Sequence, residues 1–233
     1  MSSRAPTDER LTFLFADLAG FTALTEAHGD ERAAVLATEF CARMRTQAAG
    51  FGATVIKTIG DAVMIRCDDA GAAIELGIGI LESEAEQTDF PAVRVGMNSG
   101  PAVERDGDWF GNSVNVAARV AALAAAGEVV LTKATFDLAA GKLGDVHFER
   151  LGYRSLRNVS EPVALLRASR EGAAPAGVIV DPVCRMVIAD QEWIGTLCFE
   201  GQEFHFCSME CAHRFAADPA RYFGASVAQL GGA

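Results

Sequence analysis

The sequence predicts an α+β fold in which a split βαβ sheet is followed by a small cysteine-rich α+β module. Three observations carry this reading. β-rich runs and helically spaced apolar residues come in the order strand, helix, hairpin, helix, strand. The small-residue segment "ASREGAAPAG" then breaks the pattern, and Cys184, Cys198, Cys207 and Cys211 all lie beyond it.

The elements follow in order. "LTFLFADLAGF" is an apolar run ending at Asp17 and a glycine, which reads as a strand entering a loop. Thr22 and Asp30 are candidate helix caps, and Val35, Leu36, Phe40, Met44 and Ala48 keep helical spacing. "ATVIKTI" and "AVMIRC" meet at Gly60–Asp61, where glycine at the first central position suits a tight hairpin turn. "DAGAAIELGIGILESEAEQ" is a second amphipathic helix and "AVRVGMNSGPAV" a further strand, ended by the turn-rich "ERDGDWFGN". "SVNVAARVAALAAA" is a third helix, and "EVVLT", "VHFERL" and "VALLRA" are later strands. This order is that of ferredoxin-like folds. The boundaries expected are a first domain over residues 8–168, a linker over 169–177 and a module over 178–224.

The formal net charge of −11 repels phosphate backbones, so no nucleic-acid partner is expected. No apolar run reaches the ~20 residues that span a bilayer, and "MSSRAPTDERLTFLF" has no signal-peptide pattern, so a cytoplasmic protein without a membrane partner is expected. In a reducing compartment the six cysteines read as buried thiols or metal ligands rather than disulfides.

Asp17 at a strand end and Asp61 at a hairpin turn can meet on adjacent antiparallel strands. Paired carboxylates suit Mg²⁺, a hard cation that shares its oxygen ligands with substrate phosphates. Taken singly, Asp17 also reads as a helix cap and Asp61 as a turn former. Four motifs, "FLFADLAGFTALTE", "VIKTIGDAVM", "VRVGMNSGPAV" and "GDWFGNSVNVAARV", resemble the class III nucleotidyl cyclases, in order and at ordinary spacing. The resemblance covers residues 11–168 and implies a dimer whose subunits share catalytic sites, forming a 3′,5′-cyclic nucleotide and pyrophosphate from a nucleoside triphosphate.

The resemblance also implies roles. Asp17, Asp61 and the carbonyl of Leu18 match the ligands of two metal ions per site, Mg²⁺ or Mn²⁺. Lys57 and Asp108 match the pair that reads the base. Lysine can donate to adenine N1 and a carboxylate can accept from the 6-amino group, so the pair points to ATP; a site built to bond one base edge rejects the other by leaving its own groups unpaired. Asn115 and Arg119, four apart on a helix, match the residues that orient the ribose and neutralise charge on the α-phosphate. The family's triphosphate-binding lysine, on a late strand, corresponds to Arg157.

In the C-terminal segment, "TLCFEGQEFHFC" reads as a hairpin with Gly201 in its turn. If Gly201–Gln202 are the central turn residues, Cys198 faces His205. Ser208 can cap a following helix with Cys211 in its first turn, and Cys207 and Cys211 have the C-x₃-C spacing of zinc sites. Cys184 supplies a third arm. Buried packing is the ordinary state of a lone cysteine, but a cluster in so small a unit favours metal ligation. "DPVCRM", "FEGQEFHFCSMEC" and "DPARYF" resemble YHS metal-binding modules. Cys184, Cys207 and Cys211 match that family's cysteines, Arg185 stands in place of its usual glycine, and His205 or Cys198 is the candidate fourth ligand. Zn²⁺ or another thiophilic metal is expected. His28, His147 and His213 read as solvent or packing residues.

The expectation is therefore a homodimeric adenylate cyclase joined to a metal- or redox-sensing module. A guanylate cyclase, or a non-catalytic nucleotide-binding scaffold serving the module, are the alternatives.

Overall fold

The computed structural model describes residues 7–139, 141, 143–170 and 179–227. The chain runs β1 (Thr7–Leu18), α1 (Phe21–His28), α2 (Asp30–Gly50), the hairpin β2 (Thr54–Ile59) and β3 (Ala62–Cys67), α3 (Ala70–Ala85), β4 (Val93–Arg105), β5 (Asp108–Phe110) and α4 (Asn112–Leu123). Next come β6 (Val129–Thr132), α5 (Lys133–Ala139), β7 (Val146–Arg154) and β8 (Val163–Arg170). The main sheet has the order β2-β3-β1-β4-β6-β8-β7, with β5 paired to β4. Its first four strands are antiparallel neighbours, which is the ferredoxin-like core expected.

Alternation along β1 explains the layering. Leu14, Ala16 and Leu18 face one side and pack with Leu36, Phe40, Met44 and Ile74 from α2 and α3. Leu11, Phe13 and Phe15 face the other and meet Trp109 with Val114, Ala117 and Ala121 of α4. Gly96 of β4 permits the close approach of α4, because a Cβ there would lie 2.0 Å from the Ala121 nitrogen. Helix α4, which carries Asn115 and Arg119, is thus held directly against the sheet.

Several local expectations change. Val35 is exposed, unlike Leu36, Phe40, Met44 and Ala48. Gly20 and Gly29, not Thr22 or Asp30, occupy the N-cap positions of α1 and α2. The turn-rich "ERDGDWFGN" is a second hairpin, because β4 continues to Arg105 and pairs with β5. β8 runs to Arg170, and the rest of the expected linker lies outside the described residues.

The C-terminal module contains β9 (Ile179–Val180), β10 (Val187–Ile188), β11 (Gly195–Phe199), β12 (Gln202–Phe206), α6 (Met209–Ala217) and α7 (Pro219–Val227). Its core is aromatic: Phe199, Phe204, Phe206 and Tyr222 gather around Phe215. No described helix is long and apolar enough to cross a membrane.

Candidate active site and metal centre

Register brings the two aspartates together. Asp17 pairs with Ala62 across β1–β3, so Asp61, the preceding turn residue, lies beside it. Gly60 opens that turn at φ 62°, the left-handed region where glycine costs least. Burial, and then the neighbouring Asp17 charge, push the Asp61 carboxyl up to about 6. Asp17 also pairs with Arg94 on β4, whose Nε donates to Asp17 Oδ2 at 2.8 Å. Asp17, Leu18, Asp61 and Arg94 line one cleft. Two crowded carboxylates in a polar cleft, one near a strand end and one at a hairpin turn, form a hard oxygen donor set that fits Mg²⁺ or Mn²⁺. Arg94 had no role in the sequence reading; its only signal was its place opposite Asp17 in the sheet.

Lys57 on β2 and Asp108 on β5 meet: Lys57 Nζ donates to Asp108 Oδ2 at 2.6 Å. The Asp108 carboxylate also accepts from the Trp109 backbone, and the Lys57 hydrogen bond holds it below the usual carboxylate range. Asn115 and Arg119 are both exposed on one face of α4, while Val114, Val116, Ala117 and Val120 are buried. None of these four lines the cleft of Asp17 and Asp61. Arg157 is exposed in the turn between β7 and β8, not on a strand as expected: the chain leaves the ladder at Arg154, and Asn158 takes a left-handed conformation.

In the C-terminal module the three expected cysteines converge. Cys184 Sγ lies 3.4 Å from Cys207 Sγ, and Cys207 Sγ donates to Cys211 Sγ at 3.9 Å. Ser208 caps α6 by accepting from the Cys211 nitrogen, as expected. Asp181 of "DPVCRM", unmarked by the sequence motif, is fully buried; its Oδ1 accepts from the Val183 and Cys184 nitrogens and its Oδ2 from the Cys207 nitrogen. It therefore ties two thiol-bearing loops together. Hydrogen bonds from Cys184 and Cys207 pull the Cys211 thiol down.

The expected fourth ligands are not at this cluster. The hairpin turns at Glu200–Gly201, so Cys198 faces Glu203 and His205 faces Thr196. The cause is that Glu200 and Gly201 both take positive φ, the geometry of the favoured two-residue turn. His205 Nδ1 is 3.1 Å from Thr196 Oγ1, its ring packs on Trp193, and Cys198 is exposed. Instead His28, at the end of α1 in the first domain, reaches the thiols: its Nε2 is 3.5 Å from Cys207 Sγ and 4.0 Å from Cys211 Sγ. The solvent or packing role expected for His28 is corrected accordingly.

The module lies directly on the first domain. Ala92 N donates to Arg185 O, Val187 N to Phe90 O and Asp89 N to Val187 O, a short stretch of strand-like pairing. Arg214 donates to both the side chain and the carbonyl of Glu26 on α1. Arg185 sits at φ 62°, a conformation glycine takes more readily, and its stem packs over Gly20, where a Cβ would come within 2.8 Å of Arg185 Cγ. Arg221 of α7 joins Asp17 and Asp61 in lining the acidic cleft.

Residues 4–162 match the family described as the adenylate and guanylate cyclase catalytic domain, and residues 179–226 match the YHS domain. A pH-sensitive adenylate cyclase of Mycobacterium tuberculosis is 37% identical over 74% of this chain and 43% of its own length. An adenylate cyclase of Streptomyces coelicolor is 38% identical over 50% of this chain and 31% of its own. The chain thus spans less than half the length of these curated relatives. The fold matches the crystal structure of the adenylyl cyclase CyaB from P. aeruginosa with a TM-score of 0.61 and 24% identity, over 73% of this chain and 97% of that one.

Proposed function

The chain belongs to the adenylate and guanylate cyclase catalytic-domain family, and from that premise we propose that it converts ATP to 3′,5′-cyclic AMP and pyrophosphate as a homodimer with two shared sites. Asp17, Asp61 and the Leu18 carbonyl of one copy would hold two divalent cations, which supply Lewis acidity to the ribose 3′-hydroxyl and to the triphosphate. Lys57 and Asp108 of the other copy bind the adenine edge, lysine donating to N1 and the carboxylate accepting from the amino group. Asn115 orients the ribose so that its 3′-oxygen stands in line with the α-phosphate, and Arg119 offsets the charge that grows there. Arg157, on its exposed turn, is the candidate triphosphate contact.

The observation that carries this reading is the separation of the two halves. The acidic cleft lacks all four of Lys57, Asp108, Asn115 and Arg119 from its lining, which supports a site completed by a second copy. The existing Lys57–Asp108 contact favours adenine over guanine and speaks against the guanylate cyclase alternative. Retention of both aspartates, the base pair and the Asn–Arg pair speaks against a scaffold without catalysis. The YHS module would hold a thiophilic metal and tune cyclase output, a reading supported by its packing on α1 and by Arg221 at the cleft.

Complementation tests the shared site. Asp17→Ala and Arg119→Ala homodimers should both be inactive. Mixed and allowed to exchange, they should recover about a quarter of the parental rate, since half the dimers are mixed and each of those has one intact site. No recovery on mixing, with subunit exchange verified, would place the whole site within one chain and refute the reading.

A further inference from the structure

We propose that His28 of the cyclase domain and Cys184, Cys207 and Cys211 of the YHS module form one tetrahedral centre for a thiophilic divalent cation, so that the metal staples the module to helix α1. The proposal deepens the reading of the three thiols as a metal site by naming the fourth ligand and what it joins.

The geometry carries it. A tetrahedral zinc with bonds of ~2.3 Å to sulfur and ~2.0 Å to nitrogen sets edges of roughly 3.8 Å between sulfurs and about 3.5 Å between sulfur and nitrogen. Two of the three sulfur pairs stand at 3.4 and 3.9 Å, and two of the three sulfur–nitrogen pairs at 3.5 and 4.0 Å. All four ligand atoms lie within 4.8 Å of one another. Such spacing fits four donors around one ion better than packed thiols, and three thiolates with one imidazole form a closed structural zinc set. The supports are also in place. Asp181 fixes the Cys184 and Cys207 backbones through three amide hydrogen bonds, and the Ser208 cap fixes Cys211.

His28 gives the centre its reach. It is the last residue of the helix that begins two residues after β1, the strand that carries Asp17, and the module meets the same helix again through Arg214 and Glu26. A cation held by His28 therefore fixes α7, and with it Arg221, against the acidic cleft. Loss of the cation releases one of the ties that position the module there.

The test uses the full chain, stripped of metal under reducing conditions and titrated with Co²⁺, whose spectrum reports donor number and type, followed by competition with Zn²⁺. One tight Co²⁺ per chain with a tetrahedral thiolate–imidazole spectrum is expected. His28→Ala should weaken binding at least 10–100-fold, more than loss of a supporting contact, and alter the spectrum. His28→Cys should restore affinity with stronger thiolate charge transfer, which separates a ligand from a residue needed only for folding. Unchanged affinity and spectrum in His28→Ala, with Cys184→Ser abolishing uptake, would overturn the fourth ligand while leaving a thiol metal site intact. No stoichiometric uptake by the parent protein would overturn both.

Discussion

Lys57 Nζ and Asp108 Oδ2 meet at 2.6 Å across 51 positions of sequence, joining the strand after α2 to the short strand before α4. Both side chains are about a third exposed, at 36% and 30%, so their contact matters little for stability. It places a donor and an acceptor side by side, as an adenine edge requires. Lys57→Glu should lower the preference for ATP over GTP by about 100-fold, with little change in melting temperature. Turnover of an equimolar ATP and GTP mixture checks this; an unchanged ratio would remove Lys57 from base recognition.

Asp61 is a carboxylate held against its own preference for the ionised form. Burial and the adjacent Asp17 charge penalise its ionised form. In chelator, Asp61→Asn should therefore melt at or above the parental temperature. With Mn²⁺ the parent should gain stability while the variant gains none, and the variant's rate should fall by roughly 10²–10³. Paired melting curves and rate assays decide this.

Gly96 controls the placement of α4. An added Cβ would lie 2.0 Å from the Ala121 nitrogen and 2.2 Å from its Cα, so backbone must move. Gly96→Ala should cost about 1–3 kcal/mol or more. It should also reduce kcat, because α4 carries Asn115 and Arg119. Thermal melts read beside initial rates test both effects; full activity would show that α4 tolerates displacement.

Thiol reactivity separates the cysteines into three classes. Cys198 is exposed and should alkylate first in the native protein. Cys41 and Cys67 should resist, as both are buried, and burial pushes the Cys67 thiol up to about 12. Cys184, Cys207 and Cys211 should be protected when metal is bound and become labelled after a thiophilic chelator is added. Peptide-level mass spectrometry of the alkylated protein distinguishes the classes.

Much of this architecture was legible because local patterns and the fold agreed. The alternation of β1, the Gly60 turn and the i, i+4 spacing of Asn115 and Arg119 are short-range features, and each survives in the structure. What escaped was long-range or set by register. His28 stands 179 positions from Cys207, and nothing around it in the sequence marks its contact with the thiols. Arg94 became visible only through its pairing with Asp17, and β5 was hidden in turn-rich text because its three residues pair with an overlong β4. The shift of the cysteine hairpin comes from Glu200 joining Gly201 at positive φ, which centres the turn one residue before the expected Gly201–Gln202.

The most direct measurement is product formation by the purified chain given ATP and Mn²⁺, read by mass spectrometry beside its Asp17→Ala variant. The account predicts 3′,5′-cyclic AMP and pyrophosphate from the parent and none above background from the variant. Absence of cyclic AMP from a folded, metal-supplied dimer, or equal amounts from both proteins, would contradict it.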